Sequence, residues 1–85
     1  MKRDFKYLTI VHCSKREQAD YLYAEVGAAA GHTREEVLAC WDKYKEKTCY
    51  GVIRENPWEE PAIAFCGPID DASFRDREIV PYEEL

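Results

Sequence analysis

The sequence lacks the short motifs that by themselves identify a catalytic or cofactor-binding function. It contains no G-x-G-x-x-G, no lysine-containing phosphate loop, no H-E-x-x-H and no G-x-S-x-G. Its one glycine-containing small-residue stretch, residues 26–31, lies within a predicted helix, which is the wrong context for a phosphate-binding loop. We therefore expect a protein that is not an enzyme and that uses no cofactor and no metal ion.

Long apolar runs and an export signal are also missing. The first residues are charged, and the longest apolar stretches, residues 8–11 and 62–66, are too short to span a bilayer. Hydrophobic residues still make up 46% of the chain, which is too many for a disordered protein. We expect one folded domain at residues 1–80, followed by a loosely ordered acidic tail at residues 81–85, in a cytoplasmic protein.

Basic side chains are scarce in the last third of the chain. After Arg54 there are nine Asp and Glu residues but only two arginines, a net charge of −7, whereas residues 1–54 carry +2. An acidic surface repels phosphate and anionic lipid and attracts basic protein. We therefore expect no direct binding to nucleic acid or membrane, and we expect the partner to be a basic protein surface.

Cysteine pairs with C-x-x-C spacing are absent as well. Cys13, Cys40, Cys49 and Cys66 each lie among apolar or aromatic residues, where a reduced cysteine serves as a small hydrophobic side chain. Buried free thiols are the favoured interpretation, although four cysteines also allow three pairings into two disulfides. A thiol or zinc protein that uses His12, Cys13, Cys49 and Cys66 remains an alternative, but its isolated ligands would have to be brought together by strands.

His12 and Cys13 are the nearest approach to a nucleophile beside a base. Adjacent residues on a strand point to opposite faces of the sheet, so His12 is not expected to activate Cys13. We expect His12 to face solvent or to bond the backbone at the end of its strand.

Two S/T-x-x-E capping boxes predict a pair of helices. Ser14 with Glu17 predicts a helix that begins at Lys15, and Thr33 with Glu36 predicts a second helix directly after it. The apolar positions that recur with helical spacing are Ala19, Leu22, Tyr23, Val26 and Ala30 in the first helix, and Val37, Leu38, Cys40, Trp41 and Tyr44 in the second.

Two glycines add detail to the first helix. Gly27 interrupts a helical pattern, which indicates the close approach of another backbone. Gly31 suits the left-handed position that ends a helix.

The remaining apolar segments predict strands. Residues 5–12 carry apolar side chains on both faces and predict a central strand, while residues 49–54 and 62–66 predict an antiparallel hairpin. Residues 73–80 are ambiguous between a short helix and an edge strand, and we favour the strand. The order β-α-α-β-β-β predicts an α+β fold, with a two-helix hairpin on one face of a small, mostly antiparallel sheet of three to four strands.

The segment between the two hairpin strands is the most informative candidate for a binding site. Trp58 lies there between Pro57 and Pro61 and among three glutamates. Tryptophan is strongly enriched at binding hot spots, but it also serves as a lid that folds back over a small core. The sequence leaves both arrangements open.

Charge and composition together predict a small acidic, non-catalytic binding protein. Its most specific form is a phage-type inhibitor, of an anti-restriction or anti-CRISPR-like kind, in which carboxylates take the place of phosphates on a basic nucleic-acid-binding surface of a host protein. The alternative is a small homo-oligomeric adaptor or structural subunit, with a homodimer formed through an exposed sheet edge. The predicted partner-binding residues are Glu55, Trp58, Glu59, Glu60, Asp70, Asp71, Asp76, Glu78, Tyr82, Glu83 and Glu84.

Overall fold

The computed structural model describes residues 8–28, 30–56, 58–74 and 77–84. Within these residues the chain has the predicted order, which confirms the α+β fold with two helices and a small sheet. Three single turns of 3-10 helix occupy Lys45–Lys47, Ala72–Phe74 and Tyr82–Glu84. The main elements are β1 (Leu8–His12), α1 (Arg16–Leu22) with a π-helical extension (Tyr23–Gly27), α2 (Arg34–Tyr44), β2 (Thr48–Ile53), β3 (Ala62–Pro68) and β4 (Ile79–Pro81).

The four strands form one mixed sheet in the order β3-β2-β1-β4. β1 is central, as predicted, and lies antiparallel to β2 and parallel to β4. β2 and β3 form the predicted antiparallel hairpin. Of the edge strand predicted for residues 73–80, the structure has Ile79 and Val80 in β4, whereas Ala72–Phe74 form a turn of 3-10 helix, and residues 75 and 76 lie outside the described residues. Residues 5–7 of the predicted first strand lie outside the described residues.

The helices cover one face of the sheet and enclose the main core. Hydrogen bonds tie α2 to this interior: the Tyr50 hydroxyl donates to the Val37 carbonyl at 2.5 Å, and the Trp41 indole donates at 2.9 Å to the carbonyl of Cys13, directly after β1. Both bonds satisfy polar groups that would otherwise be buried without partners. The buried residues of this core are Val11, Cys13, Ala19, Leu22, Val26, Val37, Leu38, Tyr50, Val52 and Tyr82.

The opposite face of the sheet has a smaller cluster built around Phe74. Phe74 packs there with Ile10 and Cys49, and its ring stacks on Phe65 at 5.8 Å between centroids. Phe65 in turn lies directly over Gly51, where any Cβ atom would overlap the ring. Glycine is therefore required at position 51 for this packing.

A bulge in β3 explains why Ile63 and Cys66 pack on one face of the sheet and Phe65 packs on the other. Val52 pairs with Ile63 and Gly51 pairs with Phe65, so Ala64 has no partner on β2. Such a bulge reverses the alternation of faces at one point. As a result Ile63 and Cys66 pack toward the helices, whereas Phe65 packs on the other side.

The second capping box is confirmed. The Thr33 side chain accepts from the Glu36 amide at 3.2 Å, and the Glu36 carboxylate accepts from the Thr33 amide at 3.3 Å. α2 therefore begins at Arg34 as predicted.

The first capping box is wrong. The chain stays extended through Lys15, with φ −129° and ψ 146°, so α1 begins at Arg16. Gln18, rather than Glu17, closes the turn, since its side-chain oxygen accepts from the Lys15 amide and from the Ser14 hydroxyl, both at 3.3 Å. The helix start is displaced by one residue, and Ser14 no longer caps it.

The end of α1 also differs in part from the prediction. Gly31 has the predicted left-handed backbone, with φ +90°. Gly27 does not meet another backbone: a Cβ atom there would lie 2.8 Å from the Tyr23 ring and 3.6 Å from the Ile63 side chain. Ala30 is exposed, because the helical backbone ends before it.

Alanine substitutions at Thr33 and Ser14 should differ in their effect on stability, because Thr33 caps α2 whereas Ser14 only precedes the first residue position of α1. We expect Thr33→Ala to lower the free energy of unfolding by about 1 kcal/mol, because it leaves the Glu36 amide without its acceptor. Ser14→Ala removes no backbone cap and should cost less than about 0.5 kcal/mol. Chemical denaturation of both variants tests this, and equal losses would contradict the assigned helix starts.

Candidate functional site

The loop between β2 and β3 projects the most exposed large hydrophobic side chain of the described residues. Ile53 ends β2 and Ala62 begins β3, so the loop leaves the end of the sheet at which Leu8 enters β1. Trp58, within this loop, is 81% exposed. Of the two arrangements that the sequence left open, the structure has the exposed indole and not the core lid.

A turn holds the loop in shape. The Glu59 amide donates to the Asn56 carbonyl at 3.0 Å, and the Asn56 side-chain amide donates to the Glu59 carboxylate at 2.8 Å. Asparagine is favoured at the first position of such a turn because its side chain can bond the residues that follow. Trp58 therefore stands on an ordered turn, and Glu55, Glu59 and Glu60 are exposed residues of the same loop.

The other tryptophan shows what a structural indole looks like in this fold. Trp41 is half-buried against the main core, and its ring nitrogen has a backbone acceptor. Trp58 packs into neither core cluster. Burying an indole is worth on the order of 4 kcal/mol, so contact with another molecule would gain energy that folding does not use.

The predicted acidic surface is divided between the two ends of the sheet. Glu55, Glu59 and Glu60 lie in the β2–β3 loop, whereas β3 and β4 both run away from that end and lead to acidic residues at the other. The length of β2 separates the two ends by about 17 Å. That distance is twice the screening length of about 8 Å at physiological salt, so the two groups of carboxylates act as separate surfaces. The far group comprises Asp70, Asp71, Glu83 and Glu84.

The carboxylates of the far group are largely engaged within the chain. Asp70 lies 3.8 Å from the Lys47 ammonium group, and Glu83 accepts from the Gln18 side chain at 3.0 Å. Asp71 accepts from both the hydroxyl and the amide of Ser73, and these bonds hold the pKa of Asp71 below its ordinary value. This group therefore shapes local turns as well as contributing charge.

A further predicted residue, Glu78, belongs to neither group. Glu78 is exposed immediately before β4, at the opposite edge of the sheet from β3. Asp76 lies outside the described residues.

Tyr82 lies in the core and not on the surface. It is 9% exposed, its ring stacks on Tyr21 at 6.4 Å, and its hydroxyl donates to the Glu25 carboxylate at 2.9 Å. Pro81 belongs to β4. The start of the predicted loose tail is thus part of the fold, and Tyr82 is not available as an exposed anchor.

The prediction of four free thiols is wrong for one pair of cysteines. Cys40 on α2 and Cys66 on β3 form a disulfide, with a Cα–Cα distance of 6.5 Å. The residues are 26 positions apart, and the β3 bulge turns Cys66 toward the helix. Disulfides persist mainly in oxidising compartments, so this bond gives no support to the predicted cytoplasmic location.

Cys13 and Cys49 are free and buried, as predicted. Burial raises the pKa of Cys13 to about 12, with smaller contributions from Cys49 and Glu83, and burial raises the pKa of Cys49 to about 11. Both thiols are protonated at neutral pH and are poor nucleophiles. His12 makes its contact with the Glu46 carbonyl, 2.7 Å from its Nε2 atom, as expected for a residue that bonds the backbone.

The buried thiols predict a loss of stability at alkaline pH. In the unfolded chain a thiol releases its proton near pH 9.0, whereas the folded protein holds the protons of Cys13 and Cys49 up to about pH 12 and 11. Each buried thiol therefore makes its full contribution to the free energy of unfolding below pH 9. Above pH 9 that contribution falls by about 1.4 kcal/mol per pH unit. Denaturation of wild type and Cys49→Ala between pH 9 and 11 measures this slope, and equal slopes would contradict it.

The zinc alternative finds no support in the arrangement of its residues. Cys66 is bonded to Cys40, and His12 and Cys13 point to opposite faces of the sheet. Among residues 8–28, 30–56, 58–74 and 77–84, no three His, Cys, Asp or Glu side chains are grouped so that they could hold a metal ion.

Comparisons with protein-family models, with curated proteins and with solved structures each found no match. In the part of the chain that the structure describes, no helix has the length and apolar character needed to cross a bilayer. The function proposed below therefore depends on the residues of this chain alone.

Proposed function

We propose that this protein is a non-catalytic binding protein whose β2–β3 loop docks on a basic surface of another protein. Trp58 is the anchor, and Glu55, Glu59 and Glu60 supply the surrounding charge. The observation that carries this proposal is the 81% exposure of Trp58 on an ordered turn between carboxylates. Aromatic anchors with a polar rim are the usual composition of protein-binding hot spots.

The chemistry of the loop specifies what the partner must offer. An indole needs an apolar pocket, and the carboxylates around it need Lys or Arg at the rim of that pocket. The loop contains one cation, Arg54, at its start and three glutamates after it, so its local charge is negative. The partner surface is therefore an apolar depression with a basic rim.

Electrostatics and burial should contribute to binding in different ways. Exposed carboxylates chiefly accelerate encounter with a basic surface, and salt weakens their effect. A desolvated indole chiefly slows dissociation, with little dependence on salt. The two contributions can therefore be measured separately.

The most specific version of the proposal is that the basic surface is one that binds nucleic acid, so that the protein acts as an inhibitor of the kind a phage would encode. The three glutamates of the loop can take the place of only a few phosphates, so we expect them to cover a short part of the partner's nucleic-acid-binding surface. Competition with a DNA or RNA oligonucleotide for the captured partner tests this version. Simultaneous binding of oligonucleotide and protein would exclude it and would leave the basic-surface proposal standing.

Comparative capture tests the proposal. Wild-type protein, Trp58→Ala, and the charge reversal Glu59→Lys with Glu60→Lys should be immobilised and exposed to the same lysate. The matched control is Asp70→Lys with Glu84→Lys, which makes the same change in net charge at the other end of the sheet. A protein retained by wild type and by the control, but lost from both loop variants, is the expected result. Proteins retained equally by all four forms would contradict the assignment of the loop as the binding site.

A further inference from the structure

The outer edge of β3 is a second surface, which the proposed function does not use. β3 is a seven-residue edge strand, and within the described part of the chain no other strand pairs with its outer side. Edge strands present N–H and C=O groups that can pair with another chain. The opposite edge of the sheet, β4, is only three residues long.

The composition of this edge is unusual for a chain that is 34% charged. Residues 61–69 contain no charged side chain and are the longest uncharged run in the sequence. Native edge strands are commonly protected by charge, by proline or by a bulge; this edge has Pro61 and Pro68 at its ends and the bulge at Ala64, but no charge between them. Phe65 is 38% exposed on β3, and Ile69, just beyond it, is 37% exposed.

A cavity beside the strand adds to the apolar character of this surface. It measures about 130 Å³ and lies between α2 and β3. When a strand adds to a sheet edge, backbone bonds give affinity and pockets for alternate side chains give specificity. The cavity is lined on the β3 side by Ile63, Ala64 and Phe65 and on the helix side by Val37, with His32 and Glu36 as polar members.

We propose that this edge pairs with the same edge of a second copy of the chain, antiparallel and centred on Ala64 and Phe65. Charge favours a second copy over a basic segment at this edge. A basic segment would find no carboxylate between residues 61 and 69. Two copies, each with a net charge of −5, repel each other least where neither surface is charged. Pro61 and Pro68 cannot donate hydrogen bonds, so they limit the pairing to the residues between them.

The ends of the paired strands make the dimer sensitive to salt. In this antiparallel register Glu60 of one copy approaches Asp70 of the other, and the two copies repel each other as wholes. Added salt screens both repulsions, so dimerisation should strengthen as salt increases. Binding to a basic partner through the β2–β3 loop should weaken with salt, so the two surfaces are distinguished by opposite responses.

Sedimentation of the purified protein alone tests this inference and needs no partner. We expect a weak wild-type dimer that tightens with salt, and an Ala64→Lys variant that dimerises at least about tenfold more weakly, because it brings a lysine from each copy to the centre of an otherwise uncharged pairing. Ala39→Lys, at an exposed position of α2, makes the same change in net charge and should leave dimerisation within about twofold of wild type.

Ala64→Glu repeats the test with the opposite charge and should weaken the dimer as well. Circular dichroism checks that each variant remains folded. A wild-type protein that stays monomeric up to about 1 mM at low and high salt would overturn the inference. So would a dimer that Ala64→Lys and Ala64→Glu leave unchanged, or one that salt weakens.

Discussion

Loss of the Cys40–Cys66 disulfide should lower the free energy of unfolding by about 3.5 kcal/mol. The bond closes a loop of 26 residues, and the entropy that such a closure removes from the unfolded chain corresponds to this figure. A domain of this size is stabilised by only about 4 to 13 kcal/mol in total, so the loss is a large share. Denaturant unfolding of the wild type with and without reductant measures it.

The double variant Cys40→Ser with Cys66→Ser is the control for this prediction. It should have the stability of the reduced wild type and should not respond to reductant, because Cys13 and Cys49 are free in either case. A wild type whose unfolding is indifferent to reductant would contradict the disulfide. It would restore the interpretation of all four cysteines as free thiols.

Trp58→Ala should weaken binding to the captured partner by at least about thirtyfold, or about 2 kcal/mol, as expected for a central aromatic anchor. The melting temperature should remain close to that of wild type, because Trp58 belongs to neither core cluster. Calorimetric titration gives the dissociation constant, and a thermal scan gives the melting temperature of the same samples.

Tyr21→Ala is the matched control, since Tyr21 is a second exposed aromatic residue, 54% exposed, on α1 rather than on the loop. It should leave the affinity unchanged, although loss of its stacking on Tyr82 costs some stability. If Trp58→Ala lowered the melting temperature and left the affinity intact, Trp58 would be a structural residue.

The parts of the fold that local sequence determines were predictable. Apolar spacing gave both helices, β-branched and aromatic runs gave β1 and the β2–β3 hairpin, and the Thr33 capping box gave the start of α2. The displaced start of α1 depends on whether Glu17 bonds the Ser14 amide or Gln18 bonds the Lys15 amide, and composition does not decide between these two.

The parts that depend on distant contacts were not predictable. The parallel placement of β4 follows from Phe74 packing on Ile10 and Cys49, which fixes how the chain crosses the sheet. The disulfide requires the bulge at Ala64 to turn Cys66 toward α2, and no spacing in the sequence signals it.

The sequence identified the residues of the candidate site, but not that the predicted acidic surface is divided between two ends of the sheet. Trp58 and its neighbouring glutamates were identified from composition, because a tryptophan between prolines and carboxylates is unusual in a loop. A run of acidic residues along the chain does not reveal that the sheet carries some of them to one end and some to the other. Strand direction and register made that division.

The most direct test of the proposed function is the rate of association with the captured partner, measured against salt for two variants of equal net charge. Glu59→Lys with Glu60→Lys reverses charge in the β2–β3 loop, and Asp70→Lys with Glu84→Lys reverses charge at the far end of the sheet. We expect the loop reversal to slow association at least about tenfold at low salt and to remove most of its salt dependence, while the far reversal stays close to wild type. Equal slowing by the two variants would show that net charge alone guides the encounter, and it would contradict the assignment of the Trp58 loop as the binding site.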